Sequence, residues 1–385
     1  MSILTTDNNN DSATDSDSTG TPADAAPSLA SKSASSTRHP FHFTGSGGEY
    51  FRIWIVNLVL TLLTLGIYSP WAKVRSNRYL YGNTEVANGH FDYHANPLVI
   101  LRGRIIALVL LLVYLLCTNF FPVLGLLVVL LLMIALPWIV VRSLAFNARN
   151  SSWRNIRFSF TGKPGQAAGA YLGWPLLGAI TLGLAMPFAW FKAASFGVNN
   201  HRLGKTQFQL GARPVDFYVI AMYLLLAGAA LIGLFSVLGV VSAFSALGGM
   251  EGMENMDPDD PMPTEMFAIL VPMYLVMGFA YIALINLFTG LRFKAVYNNL
   301  ALEQNKIFST MSIPGFLGVA VTNTLAMLFT LGLFYPWAKV RITRYMLNSL
   351  ALEAVDIDNF VASAEQERNA LGEELGEVFD LGIGV

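Results

Sequence analysis

A chain of 385 residues could hold two or three soluble domains, but 54% of it is hydrophobic, 13% is charged and its mean hydropathy is +0.51. Soluble domains carry roughly 25% charged residues, so this composition argues for a chain buried largely in lipid. The net charge of −1 offers nucleic acid no electrostatic footprint, and the single cysteine, Cys117, excludes a disulfide within the chain.

Residues 1–39 are rich in Ser, Thr, Asp, Asn and Ala, too polar to bury the surface that would offset their ordering, and predict a disordered tail. They lack the charged-then-apolar layout of a cleaved leader. An apolar run follows at 51–70. From Ile105 to Val141 no residue carries a formal charge. One helix of that length would reach about 55 Å, nearly twice the hydrocarbon core, so two helices joined near Asn119, Pro122 and Gly125 are expected. Comparable runs lie at 166–190, 215–247, 266–291 and 314–336. The acidic, proline-containing stretch 248–265 predicts an extramembrane loop, and 353–385 an acidic C-terminal tail.

Two sequence elements recur. Thr64-Leu-Gly-Ile-Tyr-Ser-Pro70-Trp71-Ala-Lys73-Val-Arg75 returns as Thr330-Leu-Gly-Leu-Phe-Tyr-Pro336-Trp337-Ala-Lys339-Val-Arg341, each continuing to a second Arg and a Tyr (Arg78, Tyr79; Arg344, Tyr345). A weaker copy runs from Thr181 through Gly183 and Pro187, with Trp190 in place of the lysine. Short stretches of period-2 alternation (Phe41-His-Phe43, Phe91-Asp-Tyr93, Phe158-Ser-Phe160, Phe208-Gln-Leu210) predict brief extended segments at the membrane surface.

Together these give an all-α polytopic membrane protein of about seven transmembrane helices, in tandem three-helix repeats with short extended interfacial segments. The first repeat occupies 40–157, the second 158–307, and a partial third, with one helix, 308–352. Seven full crossings would invert the second repeat. The side holding Lys73, Arg142 and Lys339 would then be cytoplasmic, and the C-terminus with it. The alternative is re-entrant insertion broken at Gly66–Pro70, Gly183–Pro187 and Gly332–Pro336, which gathers nearly all bases on one side.

The motifs resemble one family. Phe43-Thr-Gly45, Gly48-Glu-Tyr-Phe51, Trp54-Ile-Val-Asn57, Thr64-Leu-Gly with Ser69-Pro-Trp-Ala-Lys-Val-Arg75, and the acidic ending Gly372-Glu-Glu-Leu-Gly-Glu-Val-Phe379 are similar to the YjgN family of bacterial inner membrane proteins, over residues 41–385. The resemblance implies a multi-pass protein of the bacterial inner membrane in a family of unknown function, and it supplies no catalytic residues.

Candidate site residues divide by chemistry. Lys73, Arg75, Arg78, Lys339, Arg341 and Arg344 are candidates for binding an anionic headgroup or ligand, since arginines three apart share a helical face. The plainer reading is anchoring, with Trp71, Tyr79, Trp337 and Tyr345 at the interface. Asn57, Asn286 and Asn323 are intramembrane amides, expected to hydrogen-bond between helices, with a substrate path as the alternative. His90, Asp92 and His94 share one face of an extended segment, but the matching positions His42, Ser159 and Gln209 cannot all be ligands, so no metal is expected. No nucleotide, thiol-redox or hydrolase motif occurs, so neither a cofactor nor an enzyme is expected. Membrane lipids are the expected partners, and no substrate or oligomer is specified. The leading functional expectation is a permease or channel for a small or amphiphilic solute; the alternative is a lipid-interacting scaffold.

Overall fold

A computed structural model describes residues 36–120, 122–246, 264–357 and 361. The polar leader to Ser35, most of the acidic stretch 248–265 and the tail beyond Ile357 (Val361 excepted) lie outside these. The described chain begins with β1 (Thr37–Pro40), inside what composition assigns to the polar tail. It ends its last strand within the acidic tail, at Ala354.

The period-2 stretches are strands, and they form one sheet. Along the chain come β2 (His42–Phe43), α1 (Gly47–Leu63), α2 (Ser69–Gly82), β3 (Thr84–Val86), β4 (Gly89–Tyr93), α3 (Pro97–Phe120), α4 (Pro122–Arg149), β5 (Ser151–Trp153) and β6 (Ile156–Phe160). Next are α5 (Pro164–Ala168), a π-helical turn (Gly169–Gly173), α6 (Trp174–Ile180), α7 (Met186–Asn199), β7 (His201–Leu203), β8 (Thr206–Leu210) and α8 (Pro214–Ala246). The described chain closes with α9 (Thr264–Tyr297), β9 (Leu300–Leu302), β10 (Asn305–Ser309), α10 (Ile313–Phe329), α11 (Tyr335–Asn348) and β11 (Leu350–Ala354).

All eleven strands pair antiparallel, in the order β1-β11-β10-β9-β8-β7-β6-β5-β4-β3-β2. β1 and β2 are two halves of one extended segment separated by Phe41. It pairs with β11 on one side (Thr37 with Ala354) and with β3 on the other (Phe43 with Thr84), so the sheet curls until its ends meet as a barrel. The connections alternate between the barrel ends. At one end lie two-residue turns, with left-handed φ at Ala87 and Asn88, Arg154 and Asn155, Gly204, and Glu303, the conformation that matches strand twist. At the other end emerge five helical hairpins, α1–α2, α3–α4, α5/α6–α7, α8–α9 and α10–α11. Each packs on the next, α2 on α3, α4 on α5, α7 on α8, α9 on α10, and α11 back on α1. The closing contact stacks Phe51 on Trp337 at 4.8 Å, and Arg344 donates to the Gly45 carbonyl at 2.6 Å.

The barrel is apolar inside and polar outside. Phe41, Val86, Trp153, Leu203, Leu302 and Leu350 form its buried cluster, while His90, Asp92, Arg157, Gln207, Lys306 and Glu353 are exposed. A barrel bathed in lipid has the opposite polarity, so this one belongs to water.

The all-α, seven-crossing expectation is overturned by this sheet and by the span count. Among the described residues four helices are long and apolar enough to cross a membrane: Pro97–Phe120, Val123–Arg149, Pro214–Ser242 and Val271–Tyr297. The runs at 51–70, 166–190 and 314–336 do not form single crossing helices, because each Thr-Leu-Gly…Pro motif reverses the chain. Leu65 and Gly66, Leu182 and Gly183, and Leu331 and Gly332 all take positive φ, with the glycines near +90°. The amides of Gly66, Gly183 and Gly332 each donate to the carbonyl five residues back at 2.7 Å, closing the outgoing helix. The threonine hydroxyl then accepts the amide four residues on, at 3.0–3.1 Å for Tyr68, Ala185 and Phe334. Pro70, Pro187 and Pro336 open the returning helix, where their missing N–H is harmless. With 17 residues, α1 reaches about 25 Å and returns.

Replacing Gly66 or Gly332 with Ala is expected to cost about 1 kcal/mol or more, since a Cβ is disfavoured at this φ. Gly48, helical and with open space around it, is the control: Gly48→Ala leaves the melting temperature unchanged or raised, while the turn variants lower it.

Candidate functional site

The barrel lumen continues between the helices as one cavity of about 790 Å³, within the range of small-molecule sites. Its barrel part owes its character to alternation: one inward phenylalanine from each of four neighbouring positions makes a collar. Phe41 stacks on Phe91 at 6.4 Å, Phe91 on Phe158 at 6.4 Å and Phe158 on Phe208 at 6.2 Å, and all four line the cavity. Such ring pairs add about 0.5–1.5 kcal/mol each beyond burial. Trp153, Leu203 and Leu302 lie in the same wall.

Toward the helices the wall becomes polar. It takes Asn147 from α4, Tyr171 from the π turn, His201 from the start of β7, Arg292 from α9, and Lys339 and Thr343 from α11. The returning helices α2, α4, α7, α9 and α11 all reach the cavity, because each leads directly into a strand of the barrel. π turns recur at functional sites, since the extra residue redirects side chains. Here the turn brings Tyr171 to the wall, within electrostatic reach of Arg292. No Asp or Glu is among the described lining residues.

The residues singled out from the sequence divide. Gly66, Pro70, Gly183, Pro187, Gly332 and Pro336 form the hairpin reversals. Of the six candidate bases, only Lys339 lines the cavity. Arg78 donates through Nε to the Tyr93 carbonyl at 3.3 Å, and Arg344 to that of Gly45, so each clasps the residue at or just beyond a strand end. Arg341 bonds Thr322 Oγ1 at 2.9 Å and Asn323 Oδ1 at 3.3 Å, and Lys73 and Arg75 are exposed on α2. Among the aromatic anchors, Trp71 stacks on Tyr68 and Trp337 on Phe51. The Tyr79 hydroxyl donates to Ser46 and Glu49, and Tyr345 to the Ser312 carbonyl at 3.0 Å. Burial, reinforced by the Glu49 carboxylate, raises the Tyr79 phenol above its ordinary pKa and keeps it a donor.

Asn57 donates to the Ala72 carbonyl at 3.4 Å and Asn323 to that of Ala338 at 3.2 Å, each tying the two helices of its hairpin, while Asn286 bonds back to Ile282 in its own helix. His90, Asp92 and His94 are exposed on the outer barrel face, and the His94 ring bonds Ser152 at 2.8 Å. Sequence reasoning missed Tyr171, His201 and Arg292. Arg292 carried a signal: it is the first base after Arg213, ending a long base-free stretch. The other two carried none, because only the barrel and the π turn bring them to the axis.

Comparison with known proteins bears on residues 38–378. The chain is 37% identical over 123 residues to "Inner membrane protein YjgN" of Salmonella typhimurium, covering 32% of this chain and 31% of that protein. It is 36% identical over 128 residues to the YjgN protein of Escherichia coli K12, covering the same shares. The match thus spans less than a third of the length of these curated relatives. No solved structure matches the chain. The model of a family described as "Bacterial protein of unknown function (DUF898)" matches residues 38–378. The chain therefore belongs to this bacterial family, in agreement with the YjgN-like motifs of its sequence.

Proposed function

We propose that this chain is a multi-pass protein of the bacterial inner membrane that takes an amphiphilic solute into its axial cavity, as a permease. The observation that carries the reading is the cavity itself: an aromatic lumen in a water-facing barrel, continuous with a polar zone among membrane helices. Such a gradient suits a molecule with one apolar and one polar end.

In this reading α3–α4 and α8–α9 cross the membrane and return, and the three shorter hairpins dip in from the barrel side. Their tips support insertion: Leu65, Leu182 and Leu331 are each 94–97% exposed, at positions where water would be costly. The barrel and the C-terminus are cytoplasmic by the positive-inside rule, because no Lys or Arg lies in 105–141 or 214–291. The chain is an internal repeat in which each strand pair alternates with a helical hairpin. The shared backbone of the three Thr-Leu-Gly turns supports duplication.

A second reading, a lipid-interacting scaffold, is favoured by Lys73 and Arg75, which stand exposed near Trp71 on α2 as headgroup contacts.

Topology is tested with single cysteines in a Cys117→Ala background. Cysteines at Asn155 and Gln304 are expected to react with an impermeant thiol reagent only from the cytoplasmic side, and one at Asn119 only from the opposite side; Asn155 and Gln304 on opposite sides would overturn the arrangement. For transport, protein in liposomes is expected to give saturable flux within a panel of single-chain amphiphiles. Flux no faster than in protein-free vesicles across the panel would leave the scaffold.

A further inference from the structure

We infer that the axial cavity binds a single-chain anionic amphiphile, its head held by Arg292 and Lys339 and its tail in the phenylalanine-lined lumen. This deepens the proposed function and rests on its amphiphile reading.

The charge inventory of the wall is one-sided. Its titratable and charged groups are Arg292, Lys339, His201 and the phenols of Tyr81, Tyr171 and Tyr297, with no carboxylate among the described lining residues. Neither Arg292 nor Lys339 makes an ion pair within the described chain, whereas Arg78, Arg341 and Arg344 are all engaged in holding the fold. Two cations beside an apolar cavity that meet no counter-charge among the described residues favour an anion that brings its own. A neutral or cationic head would leave both unpaired.

Position sets the orientation. Arg292 precedes Leu300, the first residue of β9, by about two helical turns, or ~12 Å, and Lys339 precedes Leu350 by about three turns, or ~16 Å. Both therefore stand above the barrel rim, on the membrane side. Below the rim the wall is Phe41, Phe91, Phe158, Phe208 and Trp153, along strands of five residues at most, or about 16 Å. An extended alkyl chain fits that depth, and the four phenylalanine rings of the collar carry no hydrogen-bonding group. The polar residues Asn147, Tyr171 and Thr343 surround the head zone and supply donors for its remaining oxygen atoms.

The test uses the full chain in nanodiscs of zwitterionic phosphatidylcholine and probes carrying bromine at the far end of a dodecyl chain. The fluorescence difference between wild type and Trp153→Phe isolates Trp153. Brominated dodecanoate is expected to quench that signal saturably. The double variant Arg292→Gln with Lys339→Gln should weaken binding about tenfold or more, and the charge-keeping pair Arg292→Lys with Lys339→Arg should retain it. The matching brominated alcohol should bind more weakly and respond to neither pair. A brominated dodecyl phosphate arm tells whether the head is a carboxylate or a phosphate. Equal binding of acid and alcohol, or full affinity in the Gln pair, would overturn the anionic assignment and leave the amphiphile reading standing. Absence of Trp153 quenching by every probe would remove both.

Discussion

Everything in this molecule depends on the pairing of strands that flank each helical hairpin. A hairpin in lipid has no hydrophobic reason to stay beside its neighbours, because lipid tails are as apolar as leucine. Here the ends of each hairpin are fixed by ladder hydrogen bonds of the barrel. α3 and α4 are held by Phe91–Tyr93 against Ser151–Trp153, and α8 and α9 by Phe208–Leu210 against Leu300–Leu302. The segment Thr37–Phe43, bonded to β11 and β3 at once, turns a row of hairpins into a ring. Arg344 reinforces that closure by binding the Gly45 carbonyl, and Arg78 ties α2 to the end of β4 through the Tyr93 carbonyl.

From that closure the cavity follows. Period-2 alternation puts Phe91, Phe158 and Phe208 inside and Asp92, Ser159 and Gln209 outside, so one sequence pattern makes both a water-compatible exterior and an aromatic lumen. The returning helix of every hairpin runs straight into a strand, and this carries the lumen upward among the helices. The bases of the repeated Pro-Trp-Ala-Lys-Val-Arg stretches then have different fates. Arg341 and Arg344 are absorbed into the fold, and Lys339 is left at the cavity.

Some of this was legible in the sequence. The uncharged run 105–141 and its break near Asn119 and Pro122 correspond to α3 and α4, because charge exclusion and helix length are local properties. The alternation at Phe158-Ser-Phe160 was equally readable as an extended segment. Its place in a sheet was not, because its partner Leu203-Arg202-His201 lies beyond a complete helical hairpin. The Thr-Leu-Gly motif was visible as a break, yet hydropathy alone joins the two helices it separates. What distinguishes a reversal from a kink is the pair of left-handed residues, Leu65 with Gly66, and leucine does not announce that conformation. The cavity residues Tyr171 and Arg292 come from different hairpins and meet only through the barrel.

The pairing of Thr37 with Ala354 has a consequence for how the molecule is made. Ten of the strands can zip in the order in which the ribosome delivers them, each onto its predecessor across a connection already in place. The first strand is the exception: it precedes all five helical hairpins and finds its outer neighbour, β11, only after the last of them has been made. Until then β11's site is absent and the opposite edge stays open, so every helical hairpin is made before the lumen is sealed. The entropic cost of that last closure grows only logarithmically with the length of the loop it closes, so a latch between strands more than 300 residues apart costs little more than one between neighbours far nearer in sequence.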